Sequence, residues 1–197
     1  MSDRLPDASL DQIFRTARTR NGWTPETMAE ALIREIYDTA KWGSTSSNCC
    51  PGRFVFLTSD EAKARLAPHM SSGNRAKTLT APVNVIMAYD MAFFERLPWL
   101  APHSPNAKDW FTSNDALVKE TAFRNGSLQA AYLMIAARSL GLDCGPMSGA
   151  KLDGVNAEFF AGTTWDANFI CNIGHGTDEH LHPRAPRLEF EDACRIL

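Results

Sequence analysis

The stretch from Asp115 to Leu140 constrains this chain more than any other. Leu128, Ala130, Ala131, Leu133, Met134, Ile135, Ala136 and Ala137 put apolar side chains on most sides of one long helix. That helix is predicted to begin at Asn114 or Asp115 and to stop at Gly141, a residue suited to the left-handed turn after a helix. Apolar on so many sides, it has to run through the centre of the fold or against a second copy of the chain. Around it the predicted order is helices, strand, helices, strand, long helix, strand. There is no regular βαβ alternation, no internal repeat, and no Gly-x-Gly-x-x-Gly after a strand. The expected class is therefore α+β and not a doubly wound parallel sheet.

The other elements follow from local signals. Ser9 with Gln12 reads as a capping box for a first helix striped by Leu10, Ile13, Phe14 and Ala17. Thr24 as N-cap and Pro25 at the first helical position predict a second helix, striped by Met28, Leu32, Ile33, Ile36, Tyr37 and Ala40 and ended by Gly43. A polar loop, residues 43–52, leads to a strand over 53–58, then helical segments over 61–66 and 69–79. A strand over 82–89 mixes apolar residues in a way that predicts burial on both faces. Pro98, Pro102 and Pro105 forbid a long helix in 90–113, which reads as an excursion over the surface or over a ligand. A last strand is expected over 168–174, before a Pro- and Arg-rich tail. The length of 197 residues fits one domain covering 1–197.

Charge narrows the partners. A net charge of −3 gives no reason to expect nucleic acid or an anionic membrane, so any bound anion must be held by a local cluster of Arg and Lys. The longest apolar run, Ala130 to Ala137, is far short of the about 20 residues needed to span a bilayer. The N-terminal stretch from Met1 to Pro6 lacks the apolar segment of a signal peptide, so a cytoplasmic protein is expected. The five cysteines show no metal-type spacing and read as reduced, mostly buried thiols. His175, His180 and His182 fall in a loop, and no metal site is expected from them.

Four segments could carry chemistry. Arg18-Thr19-Arg20-Asn21 closes the first helix, and Arg184 and Arg187 lie in the tail; guanidinium forks match phosphate geometry. Ser44-Thr45-Ser46-Ser47-Asn48 offers a run of side-chain donors and acceptors. Asn74 and Lys77, three apart on a helix, can reach one ligand, and a lysine suits a ring that gains negative charge on reduction. Residues 141–149, with Gly145, Pro146 and Gly149, give a bent backbone that a flat ring can approach. Taken singly, these segments also read as a solvated helix end, a turn, a surface lysine and a plain loop.

Their order along the chain resembles the nitroreductase family of FMN-dependent oxidoreductases. The resemblance rests on Ala17–Trp23, Ser44–Phe54, Gly73–Leu79, Glu120–Gln129, Gly141–Gly149, Asn168–Gly174 and Pro183–Leu188, and it is strongest to the malonic semialdehyde reductase branch. It implies a central antiparallel sheet flanked by helices, in an intertwined homodimer with each FMN touched by both chains. By this resemblance Arg18, Thr19 and Arg184 match phosphate and ribityl contacts, with Arg20 in place of the family's basic residue at Asn21. Ser46 and Asn48 match the loop that reaches FMN from the partner subunit. Asn74 and Lys77 match the pair at the pyrimidine edge, Lys77 being the catalytic candidate. Pro146, Met147, Ser148 and Gly149 match the segment at the flavin N5. Ser44 stands where the family usually has Pro, and Cys50 where it commonly has Gln.

The implied activity is ping-pong hydride transfer from NAD(P)H through FMN to a small acceptor. In this branch the acceptor is malonic semialdehyde, reduced to 3-hydroxypropionate in pyrimidine degradation. The alternatives are a broad-specificity nitro or quinone reductase, a non-catalytic FMN-binding module, and a thiol enzyme using Cys49 or Cys50. Residues 90–113 read equally as a substrate lid or as a plain packed excursion.

Overall fold

The computed structural model describes residues 3–197; Met1 and Ser2, part of the N-terminal stretch discussed above, lie outside the described residues. Helix α1 (Asp7–Leu10) runs into a wider π-type turn over Asp11–Arg15. The helix has already begun at Asp7, so Ser9 and Gln12 form no capping box. Gln12 Nε2 instead donates to the main-chain oxygen of Arg138 at 2.7 Å, a long-range bond that outcompetes the local one. The first strand, β1 (Gly22–Trp23), was not expected. Helix α2 (Glu30–Ala40) starts six residues after Thr24, its N-cap Ala29 having no side-chain bond. Thr24 caps nothing: its hydroxyl is buried without a partner, and its N–H donates to His175 O at 2.9 Å, continuing the short ladder of the preceding residues.

Next comes β2 (Gly52–Leu57), close to its expected bounds. Helix α3 (Asp60–Leu66) is capped by Ser59, whose hydroxyl accepts from Ala62 N at 3.1 Å. Helix α4 (Ser72–Thr80) starts later than expected because Met70 is extended. Strand β3 (Val83–Asp90) is buried at every position, as its composition predicts. Short helical turns, including α5 (Leu97–Leu100), fill the proline-rich excursion. Helix α6 (Asp115–Ser139) is capped by Asn114, whose side-chain oxygen accepts from Leu117 N at 3.0 Å. The chain then makes β4 (Asp143–Met147), α7 (Leu152–Phe159), β5 (Trp165–Gly174), β6 (Gly176–Thr177) and α8 (Phe190–Ala193).

Strands β2, β3, β5 and β4, in that order, form an antiparallel sheet. Gly145 and Pro146 break any strand pattern, so β4 departs from the bent loop expected over 141–149. Its place at the sheet edge resolves this, since a proline there forfeits no ladder bond to a further strand. A bulge between Met87 and Ala88 leaves Asn168 out of the ladder, and its amide donates to the Ser127 hydroxyl at 2.9 Å.

The period-2 alternation of β3 splits the core. Val83, Val85 and Met87 pack with Cys171 and Ile173 against α2 and α6, through Ile36, Leu133 and Ala137. Ile86 and Ala88 pack with Ile170 and Met147 against Leu66, Met70 and Val155 on the other face. Ala130, Leu133, Ala136 and Ala137 of α6 are thus buried against the sheet and α2, a large side chain such as Leu133 contributing about 1.5–3 kcal/mol, while Leu128 stays 42% exposed. The excursion between β3 and α6 packs on itself, with Phe93, Leu97 and Phe111 buried and the Phe93 and Phe111 ring centroids 4.9 Å apart. Trp99, 76% exposed, points away from that small core. Among the described residues no helix is long and apolar enough to cross a membrane.

Candidate functional site

A two-residue ladder fixes the site. Gly22 pairs with Thr177 and Trp23 with Gly176, stapling the segment after α1 to the end of β5. Arg20 N donates to Cys144 O at 3.1 Å, tying the same segment to the edge strand. The approach needs glycines. A Cβ at Gly145 would sit 2.6 Å from Arg20 O, and one at Gly176 would sit 2.3 Å from Arg20 Cγ. The C-terminal tail then folds back over the N-terminal segment, and a cavity of about 1210 Å³ lies between them and α4.

The cavity wall is strongly cationic for an acidic chain. Arg15, Arg18, Arg138, Arg184, Arg187 and Lys77 line it, against Glu179 as the one lining acid among the described residues. Arg15 is neutralised by Asp7 at 3.0 Å and Asp11 at 3.2 Å. The other five have no carboxylate partner among the described residues. They are held instead by neutral acceptors. Arg18 donates to His182 O, Arg184 to Ala17 O at 3.0 Å, and Arg138 to Ile13 O at 3.2 Å. Arg187 folds onto Ala185 O and Pro186 O, and Lys77 Nζ donates to Asn21 Oδ1 at 3.0 Å. Neutral acceptors orient a cation without cancelling its charge, so the wall repels itself until an anion arrives. Two buried donors in the wall also lack a partner, Trp23 Nε1 and Arg138 Nε. This donor set fits a phosphorylated ligand with a polar aromatic body.

The residues singled out in the sequence fall into four places. Arg18, Thr19, Lys77 and Arg184 line the cavity together. Arg20 does not; its guanidinium turns to Asp143, at 3.4 Å, and to Asp178, which makes it a staple for the segment bearing Arg18 and Thr19. Asn74 and the segment 146–149 meet next to the cavity. Asn74 Nδ2 and Ser71 N both donate to Gly149 O, at 3.1 and 2.9 Å, and a Cβ at Gly149 would lie 2.7 Å from Asn74 Nδ2. These contacts anchor the start of α4, the helix that carries Lys77. Met147 is buried in the sheet core, and Ser148 is exposed.

Ser46 and Asn48 lie elsewhere, on the loop before β2, and line no part of this cavity. Three neutral side chains of α6 or its neighbourhood pin that loop. Ser46 N donates to Asn125 Oδ1 at 2.8 Å, Gly52 N to Gln129 Oε1 at 2.6 Å, and Tyr132 Oη to Ser44 O at 3.1 Å. Asn48 Nδ2 donates to Leu100 O at 2.8 Å, linking the loop to the excursion. Ser47, Asn48 and Cys50 all take positive φ, at 50°, 52° and 40°. Such backbone costs energy in non-glycine residues and concentrates at functional loops.

Two of the buried thiols, Cys49 and Cys171, are held in the protonated form, which disfavours them as nucleophiles. Burial pushes the Cys49 thiol up to about 11, against the opposing hydrogen bond from Thr45. Contact with Cys144, then burial, holds the Cys171 thiol well above the ordinary range. Sequence reasoning missed Trp23, Gly73 and Arg138 as lining residues. Trp23 adjoins a noticed cluster, whereas nothing near Arg138 marks it as part of a site.

The fold and wall define a class, and comparison with known proteins agrees. The nitroreductase family model matches residues 2–175, and the chain belongs to that family. The tail bearing Arg184 and Arg187 lies beyond the matched span. A protein of Xanthomonas oryzae pv. oryzae is 54% identical over 196 residues, covering 100% of both chains. One of Burkholderia lata is 54% identical over 192 residues, covering 98% of each. Both carry the provisional name NADH dehydrogenase/NAD(P)H nitroreductase. In three dimensions the chain is similar to a provisionally named nitroreductase of Exiguobacterium sibiricum crystallised in complex with FMN. The TM-score is 0.82 at 18% identity, over 100% of both chains, and that likeness shows the fold.

Proposed function

We propose that the chain binds FMN in the cation-lined cavity, works as a homodimer, and passes hydride from NAD(P)H to a small acceptor. The observation that carries this is the group of five cations, Arg18, Lys77, Arg138, Arg184 and Arg187, facing one cavity without a carboxylate partner among the described residues. Arg18, Thr19 and Arg184 hold the phosphate and ribityl chain, where guanidinium forks and a hydroxyl suit both. Lys77 stands at the edge of the ring, with Asn74 bracing the helix beneath it, and supplies positive charge where reduction builds negative charge. Bound FMN supplies the ring that takes hydride from NAD(P)H and gives it to the acceptor. Residues 146–149 shape the nearby backbone. Ser46 and Asn48, remote from this chain's own cavity, complete the site of a second copy. Phe123 and Leu128, 51% and 42% exposed on α6, support such pairing.

We assign malonic semialdehyde, reduced to 3-hydroxypropionate in pyrimidine degradation, as the acceptor. Arg138 and Arg187, not assigned to FMN, leave positive charge for an acceptor whose carboxylate lies one methylene from its aldehyde. A broad nitro or quinone reductase is the second reading, favoured by the name its relatives carry. A cytoplasmic setting, with its supply of NAD(P)H, suits both. The test is a visible spectrum of the purified protein before and after anaerobic NADPH, then steady-state rates with the three acceptors. Flavin bands that bleach, with kcat/KM highest for malonic semialdehyde, are expected. A colourless protein without affinity for added FMN ends the cofactor assignment, bands that do not bleach indicate a non-catalytic flavin module, and a faster nitroaromatic or quinone displaces the aldehyde.

A further inference from the structure

Asn84 and Asn172 face each other across β3 and β5, directly opposite in register and fully buried. By strand alternation both side chains fall on the face that carries α3, α4 and α7, in rows otherwise filled by Ile86, Ala88 and Ile170. Asn84 Nδ2 donates to Asn172 Oδ1 at 2.7 Å and to Thr78 O at 3.0 Å, and Asn172 Nδ2 donates to Lys77 O at 2.9 Å. Two strands thus grip adjacent carbonyls in the last turn of α4, where a helix leaves its acceptors unpaired. Asn84 Oδ1 is buried without a partner, a cost that apolar side chains in these rows would avoid. Stability alone gives no reason for the pair. The first residue it grips is Lys77, whose ammonium stands in the cavity wall 3.0 Å from Asn21 Oδ1.

We propose that Asn84 and Asn172 are positioning residues for Lys77, fixing the last turn of α4 so that its ammonium meets the ring-binding part of the cavity. The purpose of the clamp rests on the FMN reading, while the clamp itself belongs to this chain. The test is the double variant N84L/N172L, close in volume and free of hydrogen bonds. In the flavin-free protein, hydrogen exchange of the amides at the end of α4 is expected to quicken at least tenfold while the melting temperature changes little. Unchanged exchange there overturns the clamp whether or not flavin binds. In the flavin-loaded protein, a tenfold loss of preference for the reduced ring is expected, a fall of about 30 mV in the two-electron potential. K77A is expected to give the same fall, and the triple variant no more than K77A alone. Falls that add would overturn the positioning role. A wild-type protein that binds no flavin would end the FMN reading and leave the clamp to be judged by exchange. Should the leucine pair not fold, the single variant N172L removes the donor to Lys77 O, leaves Asn84 Nδ2 on Thr78 O, and is read by the same exchange.

Discussion

Arg53 and Arg184 sit in opposite kinds of surroundings. Near one end of the sheet, Arg53 Nη2 meets Asp90 Oδ2 at 2.6 Å in a mostly buried pair. The other oxygen of Asp90 accepts from Thr164 Oγ1 at 2.5 Å and Ala92 N at 2.8 Å. Around the cavity, five cations lean on carbonyl and amide oxygens, with no carboxylate partner among the described residues. That contrast, with Arg15 as the one cation of the wall paired with a carboxylate among the described residues, is what the proposed binding of a phosphorylated ligand rests on.

Substitutions can break that contrast. The largest effect is expected from R53A, which strands the mostly buried Asp90 and should cost about 3 kcal/mol of stability in denaturant titration, with FMN affinity of the folded protein preserved. R184A should do the reverse, lowering FMN affinity by about 1.5–3 kcal/mol in fluorescence titration with little change in apoprotein melting. If R184A melts early and binds normally, the division between the two regions fails. Gly73 lines the cavity, and a Cβ there would meet nothing within 4 Å. G73L should therefore fold normally, apart from the modest gain of replacing a helical glycine, yet exclude flavin by bulk. Retained yellow colour would show that the ring does not pass this face of α4. R20A should have the smallest effect, about 1 kcal/mol of stability, since the mostly buried Arg20 pairs with an Asp143 and an Asp178 that solvent can still reach. An effect on flavin affinity as large as that of R184A would return Arg20 to the site.

Much of the fold was legible where the signal is local and repeated. The apolar run of α6 and the mixed apolar residues of β3 describe how a segment is buried, and burial leaves a mark on every residue. The pieces that escaped depend on a distant partner. Strand β4 exists because β5 offers it a register, despite Gly145 and Pro146. The ladder of Gly22–Trp23 with Gly176–Thr177 is too short to leave a pattern. In the site, Arg18, Thr19, Lys77 and Arg184 could be proposed from residue type and order. That Arg20 would be neutralised while its neighbour Arg18 would not could not be read from Arg-Thr-Arg. The difference is made by Asp143 and Asp178, more than 120 residues away. Arg138, Asn84 and Asn172 were invisible for the same reason, each acquiring its role from a chain segment remote in sequence.

The most direct test of the account is a paired titration of the apoprotein with FMN and with riboflavin, at low and at high salt. Grip on the phosphate by unneutralised arginines predicts that FMN binds at least about tenfold more tightly, since charge-assisted hydrogen bonds contribute about 1.5–3 kcal/mol each. It also predicts that salt erodes the difference. Equal affinity for the two, at either ionic strength, would contradict it.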